Sequence, residues 1–444
     1  MKRIAVLGLA AFVGLASTAS TARAQLTMQM SNGWSFSLSG NVNAFLVESW
    51  NNSKATPAVI NGGITTQGTG TLSNISTGLL PADLNFDIKG HEGPVDLGVH
   101  FGFYPEIQNG AGINGGAGNG HDQFGAQIDM REVYLTVGGG WGQILAGRAL
   151  DPFLRENILN DATLFGTGPV AGNRGNGGTT FGRIGYGYIY PNFNAQIAYS
   201  TKAGNPLVLT LAVLQPSEVG WSDGVGSLAN SSASYFSFNP LPRVEGELTF
   251  TTAVGTAGSS TASKLKAWVN GQWQEAKHDP TGFGPQQTIQ SEGLGAGVKF
   301  DISIVSLVGS GYYGRGLGST FEFGATSTDG NPTGPQTRTS YGYIGQATVK
   351  LTDKWSVVGS YGSSFIDGTH YDKTIGDGPN PFVPTQSYGY SDLLKYNAAG
   401  VGAIQYQWTK SLRAVGEYTY ATSANVAGGK NIQNNISAGL MLFF

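Results

Sequence analysis

The chain ends in Ile432-Gln433-Asn434-Asn435-Ile436-Ser437-Ala438-Gly439-Leu440-Met441-Leu442-Phe443-Phe444. In an extended strand Ile436, Ala438, Leu440, Leu442 and Phe444 share one face, with Asn435, Ser437 and Gly439 between them. The ends of water-soluble domains usually fray, so a two-residue apolar repeat carried to the last residue suits them poorly. A closed sheet in lipid accounts for it. There every backbone polar group is paired with a neighbouring strand and one face of each strand meets acyl chains.

The same alternation recurs upstream, in pairs joined by turn residues. Leu84, Phe86 and Ile88 lead through His91-Glu92-Gly93-Pro94 to Val95, Leu97, Val99, Phe101 and Phe103. Tyr341, Tyr343, Ala347 and Val349 reach Thr352-Asp353-Lys354 and return as Trp355, Val357 and Tyr361. Ala398, Ile404, Tyr406 and Trp408 turn at Thr409-Lys410-Ser411 into Leu412, Ala414, Tyr418 and Tyr420. Leu294 to Phe300 turns at Asp301 into Ile302, Ile304 and Val308. Longer polar segments, rich in Gly, Asn, Ser, Thr and Pro, fill 48–78, 105–127, 151–180, 215–240, 315–337 and 366–390.

Short turns alternating with long loops predict an all-β fold: a transmembrane antiparallel β-barrel with short periplasmic turns and long extracellular loops. Residues 181–200 decide the count. Read as two strands broken at Pro191-Asn192, they give seventeen and put 215–240 on the short-turn side. Read as one strand with a bulge at Pro191, they give 16 strands with every long loop on one side, and this reading is taken. The expected strands are 34–47, 79–90, 95–104, 128–137, 143–150, 181–200, 207–214, 241–254, 264–276, 288–300, 302–314, 338–351, 355–366, 391–408, 412–422 and 431–444. Trp34, Trp141, Trp355 and Trp408 all fall at short-turn ends and Trp273 near the opposite rim, as interfacial aromatic girdles require.

Sixteen strands about 4.8 Å apart and tilted by about 40° give a barrel roughly 30 Å across, too wide for side chains to fill. The faces opposite the apolar residues are polar: Asp83, Asn85, Asp87 and Lys89; Asp96 and His100; Lys264, Lys266, Asn270 and Gln272. A polar lumen of that width holds water.

Composition agrees. Charged residues are 12% of the chain, about half the usual share, and glycine is about twice as common as usual. Lys2 and Arg3, the apolar run Ile4 to Ala16 and Ala22-Arg23-Ala24 read as a signal peptide over 1–24, leaving 25–444 as the barrel. Without Lys2, Arg3 and Arg23 the mature chain keeps 22 of the 25 basic residues against 28 acidic ones, a net charge of −6. That balance argues against nucleic-acid binding and suggests a weak preference for cations. With no cysteine there is no disulfide framework or thiolate site. None of the five histidines sits in a metal-ligand spacing, and Gly110-Ala111-Gly112-Ile113-Asn114-Gly115 matches a dinucleotide fingerprint but lacks the helix that must follow it. No cofactor or metal is expected.

The chain resembles the general diffusion porins of Gram-negative outer membranes, which are trimeric sixteen-stranded barrels. The signal peptide, Arg131-Glu132-Val133-Tyr134-Leu135, Trp141-Gly142-Gln143-Ile144-Leu145-Ala146-Gly147-Arg148, Tyr188-Ile189-Tyr190-Pro191-Asn192-Phe193 and Gly439 to Phe444 carry the resemblance. It implies a homotrimer in the outer membrane, contact with lipid and lipopolysaccharide, and recognition of Phe444 by the outer-membrane assembly machinery. It also implies a third loop, about 151–180, folded into the barrel, with acidic loop residues facing a basic wall across a pore constriction. The matching acids are Asp151, Glu156 and Asp161, and the wall candidates are Arg148, Arg183 and Lys89. The sequence departs from the family's acidic loop motif around Thr167-Gly168-Pro169-Val170.

Arg183 is out of phase with Ile184, Tyr186 and Tyr188, which points it to the lumen. Arg148 shares phase with Ile144 and Ala146 and therefore needs a bulge or a rim position; Arg131 shares phase with Val133 and Leu135 and is not a candidate. The expected function is passive diffusion of small hydrophilic solutes and ions, without chemistry. A substrate-selective channel for sugars or organic ions is the alternative; aromatic residues lined along the lumen, such as Trp268, would favour sugar passage. A barrel enzyme would need a Ser/His or Asp/His constellation at one rim, and no such spacing is visible.

Overall fold

The computed structural model describes residues 26–30, 33–53, 70–107, 128–169, 179–220, 235–236, 238–255, 263–277, 287–324, 326–331, 333–379 and 389–444. The expected signal peptide lies outside them.

The first strands are β1 (Leu26–Gln29), β2 (Ser35–Ser53), β3 (Gly70–Ser76), β4 (Asp83–Glu92), β5 (Val95–Pro105), β6 (Ile128–Gly139) and β7 (Gly142–Leu150). After a short helix α1 (Arg155–Leu159) come β8 (Phe193–Ser200), β9 (Leu207–Leu214) and a small hairpin, β10 (Val219–Gly220) and β11 (Tyr235–Phe236). Then follow β12 (Arg243–Val254), β13 (Ser263–Lys277), β14 (Thr288–Ile302), β15 (Val305–Arg315), β16 (Thr339–Lys350) and β17 (Trp355–Asp367). Helix α2 (His370–Ile375) precedes β18 (Leu394–Gln407), β19 (Leu412–Asn425) and β20 (Lys430–Phe443).

Each wall strand pairs antiparallel with its neighbours, and β20 pairs with β2 from Asn41↔Phe443 to Ser53↔Asn431, closing the sheet. β3 and β4 pair with successive parts of β2 and form one stave, so the wall has sixteen staves. Closure leaves no open sheet edge in the hydrocarbon. β1 continues the line of β20 beneath Phe444, which exchanges backbone hydrogen bonds with Gly40 (2.8 and 3.0 Å).

The terminal strand has the alternation its sequence predicts. Ile436, Leu440 and Leu442 are 51%, 49% and 46% exposed on the outer face, while Asn431, Gln433, Asn435 and Ser437 are buried inside. Trp141, Trp355 and Trp408 are exposed at the short-turn rim, where Trp141 stacks on Tyr199 and Trp355 packs on Tyr406. On the outer face nearer the long loops, Tyr313, Tyr341, Phe365 and Tyr343 stack side by side.

The structure corrects the expected strands in two places. The strand predicted over 181–200 begins only at Phe193. Gly182 and Gly185 take φ of +52° and +79°, which break an extended ladder, and Pro191 has no N–H to give one. Residues 181–190 instead fold inside the barrel, so the third long connection runs from 151 to 192. The strand predicted over 79–90 begins only at Asp83, and the wall continues into the predicted loop 48–78 as β2 to Ser53 and as β3; between β3 and β4, Leu79 and Leu80 turn inward to hydrogen-bond Gly166 O (2.9 Å) and Leu164 O (3.3 Å). Asn43 holds this break by accepting from Gly78 N (2.8 Å) and donating to Leu80 O (3.0 Å).

Part of the lumen is filled. Phe45, Val47, Ile344, Val415 and Met441 point inward from the wall and pack with Leu79, Leu80, Phe153, Leu154, Leu164, Tyr188 and Leu317 in one apolar cluster. The hydrophobic core of this barrel is therefore the seam between its wall and its inward loops.

Candidate functional site: the interior passage

The 151–192 connection starts where β7 ends and crosses to the far wall. There Phe153 and Leu154 lie against Gly293 and Gly295 of β14, glycines at which a Cβ would meet the leucine and phenylalanine side chains at 2.7 and 2.6 Å. Helix α1 is pinned on both sides. Arg155 donates to Glu247 of β12 (2.5 Å), Glu156 pairs with Lys266 of β13 (2.5 Å), and Asn157 accepts from Trp268 Nε1 (3.0 Å). Farther on, Gln346 of β16 accepts from Ala162 N (2.9 Å). The tip then reaches Glu417 of β19, whose Oε1 accepts from Gly168 N (2.7 Å), Thr167 Oγ1 (3.0 Å) and Thr167 N (3.2 Å). The return leg passes β18 and β17, with Arg183 Nη1 donating to Ala399 O (3.0 Å) and Gly187 N to Ser364 Oγ (2.8 Å). It ends beside the 316–338 connection, where Tyr190 N donates to Thr320 O (2.9 Å).

The connection thus lies along the β12–β20 side and leaves space on the other. That space is a cavity of about 870 Å³ walled by β4 to β9 and the inward residues of β12. Its lining extends from the short-turn rim at Gly138, Gly142 and Ser200 to Tyr104 and Asp129 near the opposite strand ends. The barrel wall contributes Lys89, His100, Tyr134, Thr136, Gln143 and Thr210. The inward loop faces it with Ile158, Leu159, Leu164, Phe181, Ile184 and Tyr190.

The loop acids face away from this space. Asp151 is fully buried and accepts from Arg243 Nη2 (2.5 Å) and Asn194 N (3.1 Å). Glu156 is spent on Lys266 and Asn160. Asp161 caps the turn over 162–165, accepting from Thr163 N (2.9 Å), and binds the Tyr188 hydroxyl (2.8 Å). Arg183 is fully buried behind the loop rather than on the cavity surface; burial lowers its pKa from the ordinary value, opposed by the charges of Asp161 and Glu417. Lys89 and Arg148 do line the cavity. Arg148 does so from a position opposite Val133 and Ala195 in an unshifted ladder, next to Gly147 at φ +141°. Trp268 is buried against α1 and does not line the lumen.

Two arrangements escape the sequence. Arg131 lines the cavity, because the register shifts between Gly102 and Phe103 and turns it out of the Val133–Leu135 phase. It pairs with Asp129 (2.7 Å) and lies over the rings of Tyr104 (5.3 Å) and Phe193 (5.9 Å). Only the nearby Asp129 hinted at a polar setting. The second is Arg243, fully buried and bonded to Asp151 (2.5 Å), Glu245 (3.1 Å) and Glu322 (3.1 Å). The three carboxylates lie within 4.8 Å of one another, a spacing that suits a cation, and the guanidinium supplies the positive charge there. Burial pushes Asp151 up to about 6 and Glu322 well above the usual carboxylate range, against the pull of Arg243.

A sixteen-stave barrel with an inward third loop beside an open space has the geometry of a diffusion channel, and the comparisons agree. The family model described as Gram-negative porin matches residues 8–426. The chain belongs to the Gram-negative porin family. It is therefore an outer-membrane protein that forms a diffusion channel. Among solved structures, the outer-membrane channel DcaP of Acinetobacter baumannii aligns with a TM-score of 0.59 at 14% identity, over 94% of this chain and 99% of that one. An anion-selective porin from Comamonas acidovorans aligns with a TM-score of 0.55 at 13% identity, over 93% and 100%. Salmonella typhi OmpF, in complex with daunomycin, gives 0.50 at 12% identity, over 94% and 100%. At these identities the likeness is one of fold. No curated protein matches the sequence significantly.

Proposed function

We propose that this porin passes small hydrophilic solutes and ions through a passage between its third loop and the β4–β9 wall, with a preference for anions. The observation that carries this reading is where the charges go. The candidate acids Asp151, Glu156 and Asp161 are buried in pairs, while Arg148 and Lys89 line open space. Of the acids on the lining, Asp96, Asp129 and Glu247 are bonded to His91, Arg131 and Arg155, and Glu132 lies 3.7 Å from His100; Lys202 adds a further base. The local balance is positive although the mature chain is net negative, and a permeating ion responds to charges within about a Debye length, roughly 8 Å at physiological salt. This reverses the cation preference suggested by net charge.

The family resemblance supports a homotrimer, contact of the outer face with lipid and lipopolysaccharide, and use of Phe444 by the assembly machinery; these belong to the same proposal. Reversal potentials in a tenfold KCl gradient across a planar bilayer test the selectivity: the potential should take the sign for chloride. Clear potassium selectivity would overturn the assignment of the passage charges.

A further inference from the structure

Five aromatic rings run in sequence along one side of the passage. Tyr104 contacts Phe193 (6.3 Å between centroids), Phe193 contacts Tyr190 (6.5 Å), Tyr190 contacts Phe321 (5.9 Å, 76° between planes) and Phe321 contacts Phe181 (5.5 Å, 83°). All five line the cavity. They come from separate elements: the end of β5, the start of β8, the return leg of the third loop and the 316–338 connection. Lipid does not explain them, since they face the interior. Core packing does not explain Phe321 either, because it remains 47% exposed.

Cations stand beside the same rings. The Arg131 guanidinium covers Tyr104 and Phe193 at one end of the row. Arg148 lines the same cavity, and it has no ion-pair partner among the described residues. Successive aromatic faces and edges attract a planar ring through dispersion and quadrupole terms, and an arginine recognises a carboxylate in the plane of its fork.

We propose that this row is a binding track for small aromatic carboxylates, in which the ring passes from one aromatic side chain to the next while the carboxylate is held by Arg148. The inference rests on the anion-preferring passage proposed above and names its substrate class. A solute with only the charge, or only the ring, engages half of the track.

The probes are sodium benzoate, acetate and benzyl alcohol, added to porin trimers or monomers, as purified, conducting KCl in a planar bilayer. Benzoate should interrupt the wild-type current at a concentration about tenfold below that of acetate, the factor that one aromatic contact of this kind contributes. Benzyl alcohol should not interrupt it. Phe321→Ala and Arg148→Gln should each raise the half-blocking concentration of benzoate by about tenfold. Phe321→Ala should leave that of acetate where it was. Equal block of the wild type by benzoate and acetate would overturn the track, and so would benzoate block indifferent to both substitutions. The wild-type solute series decides without relying on any variant to fold. A wild type that carries no KCl current at all would instead remove the passage on which the track depends.

Discussion

Glu417 is the main polar anchor of the third-loop tip, and replacing it with alanine perturbs the loop without touching the barrel ladder. The carboxylate is 5% exposed and accepts from Gly168 N, Thr167 N and Thr167 Oγ1 at 2.7, 3.2 and 3.0 Å. In Glu417→Ala two backbone donors lose their partner in a closed setting. A buried unsatisfied donor costs about 1–3 kcal/mol, so docking of the tip weakens by roughly 2–6 kcal/mol, at least about 30-fold in the docked-to-free ratio. Glu417→Gln keeps one acceptor oxygen and should lose less. An independent lesion tests the same contact. Gly168 has φ +75° and a Cβ there would sit 2.2 Å from Gly182 O, so Gly168→Ala should release the tip as well. The assay is single-channel recording: the wild type should be quiet, and both alanine variants should flicker as the tip enters the passage. The melting temperature of the barrel should hardly move. Quiet traces indistinguishable from wild type in Glu417→Ala would refute the anchoring argument.

Other outcomes follow from the same structure. Arg243→Met leaves Asp151, Glu245 and Glu322 uncompensated, and breaking a buried pair in this way costs about 3–5 kcal/mol; limited proteolysis should then cut the 151–192 and 316–338 connections that the wild type protects. Acidification should act in the opposite sense. Asp151 is raised by burial to about 6, so the folded root of the third loop binds protons more readily than a released one, and its attachment is strongest below about pH 4 and weakens as pH rises through 6. Current noise from loop motion should therefore fall, not rise, between pH 7 and pH 5, and an increase would count against this. Arg148→Glu changes the passage charge by two; at about 8 Å in water each unit is worth about 0.5 kcal/mol, so the anion loses about 1 kcal/mol and the cation gains about as much, and the anion-to-cation permeability ratio should drop roughly 30-fold, read from reversal potentials.

Much of the wall was legible because lipid on one side and water on the other impose a two-residue period, as in Leu84–Ile88 against Val95–Phe103. The interior was less so. Ile184, Tyr186 and Tyr188 alternate like a strand, yet they alternate inside a folded-in loop; the positive φ of Gly182 and Gly185 that turns the backbone there is not written in the alternation. Phe45 and Val47, flanked by Ala44 and Leu46, make both faces of β2 apolar, which marks a wall segment covered from within. The acids Asp151, Glu156 and Asp161 were identified by position, but which way they face depends on Arg243, Lys266 and Tyr188, which are distant in sequence. Arg131 was lost to a bulge in its own strand, where it is the extra residue between Met130 and Glu132, and a strict two-residue count assumes there is none.

The account depends most on the passage running along the β4–β9 wall and not along the wall covered by the third loop. The natural chain has no cysteine, so single cysteines report on access directly. Thr136→Cys lies on the open lining, and Thr419→Cys replaces a residue 1% exposed beneath the loop. A charged thiol reagent added during single-channel recording should step down the current of Thr136→Cys and leave that of Thr419→Cys unchanged; the reverse pattern would contradict the account.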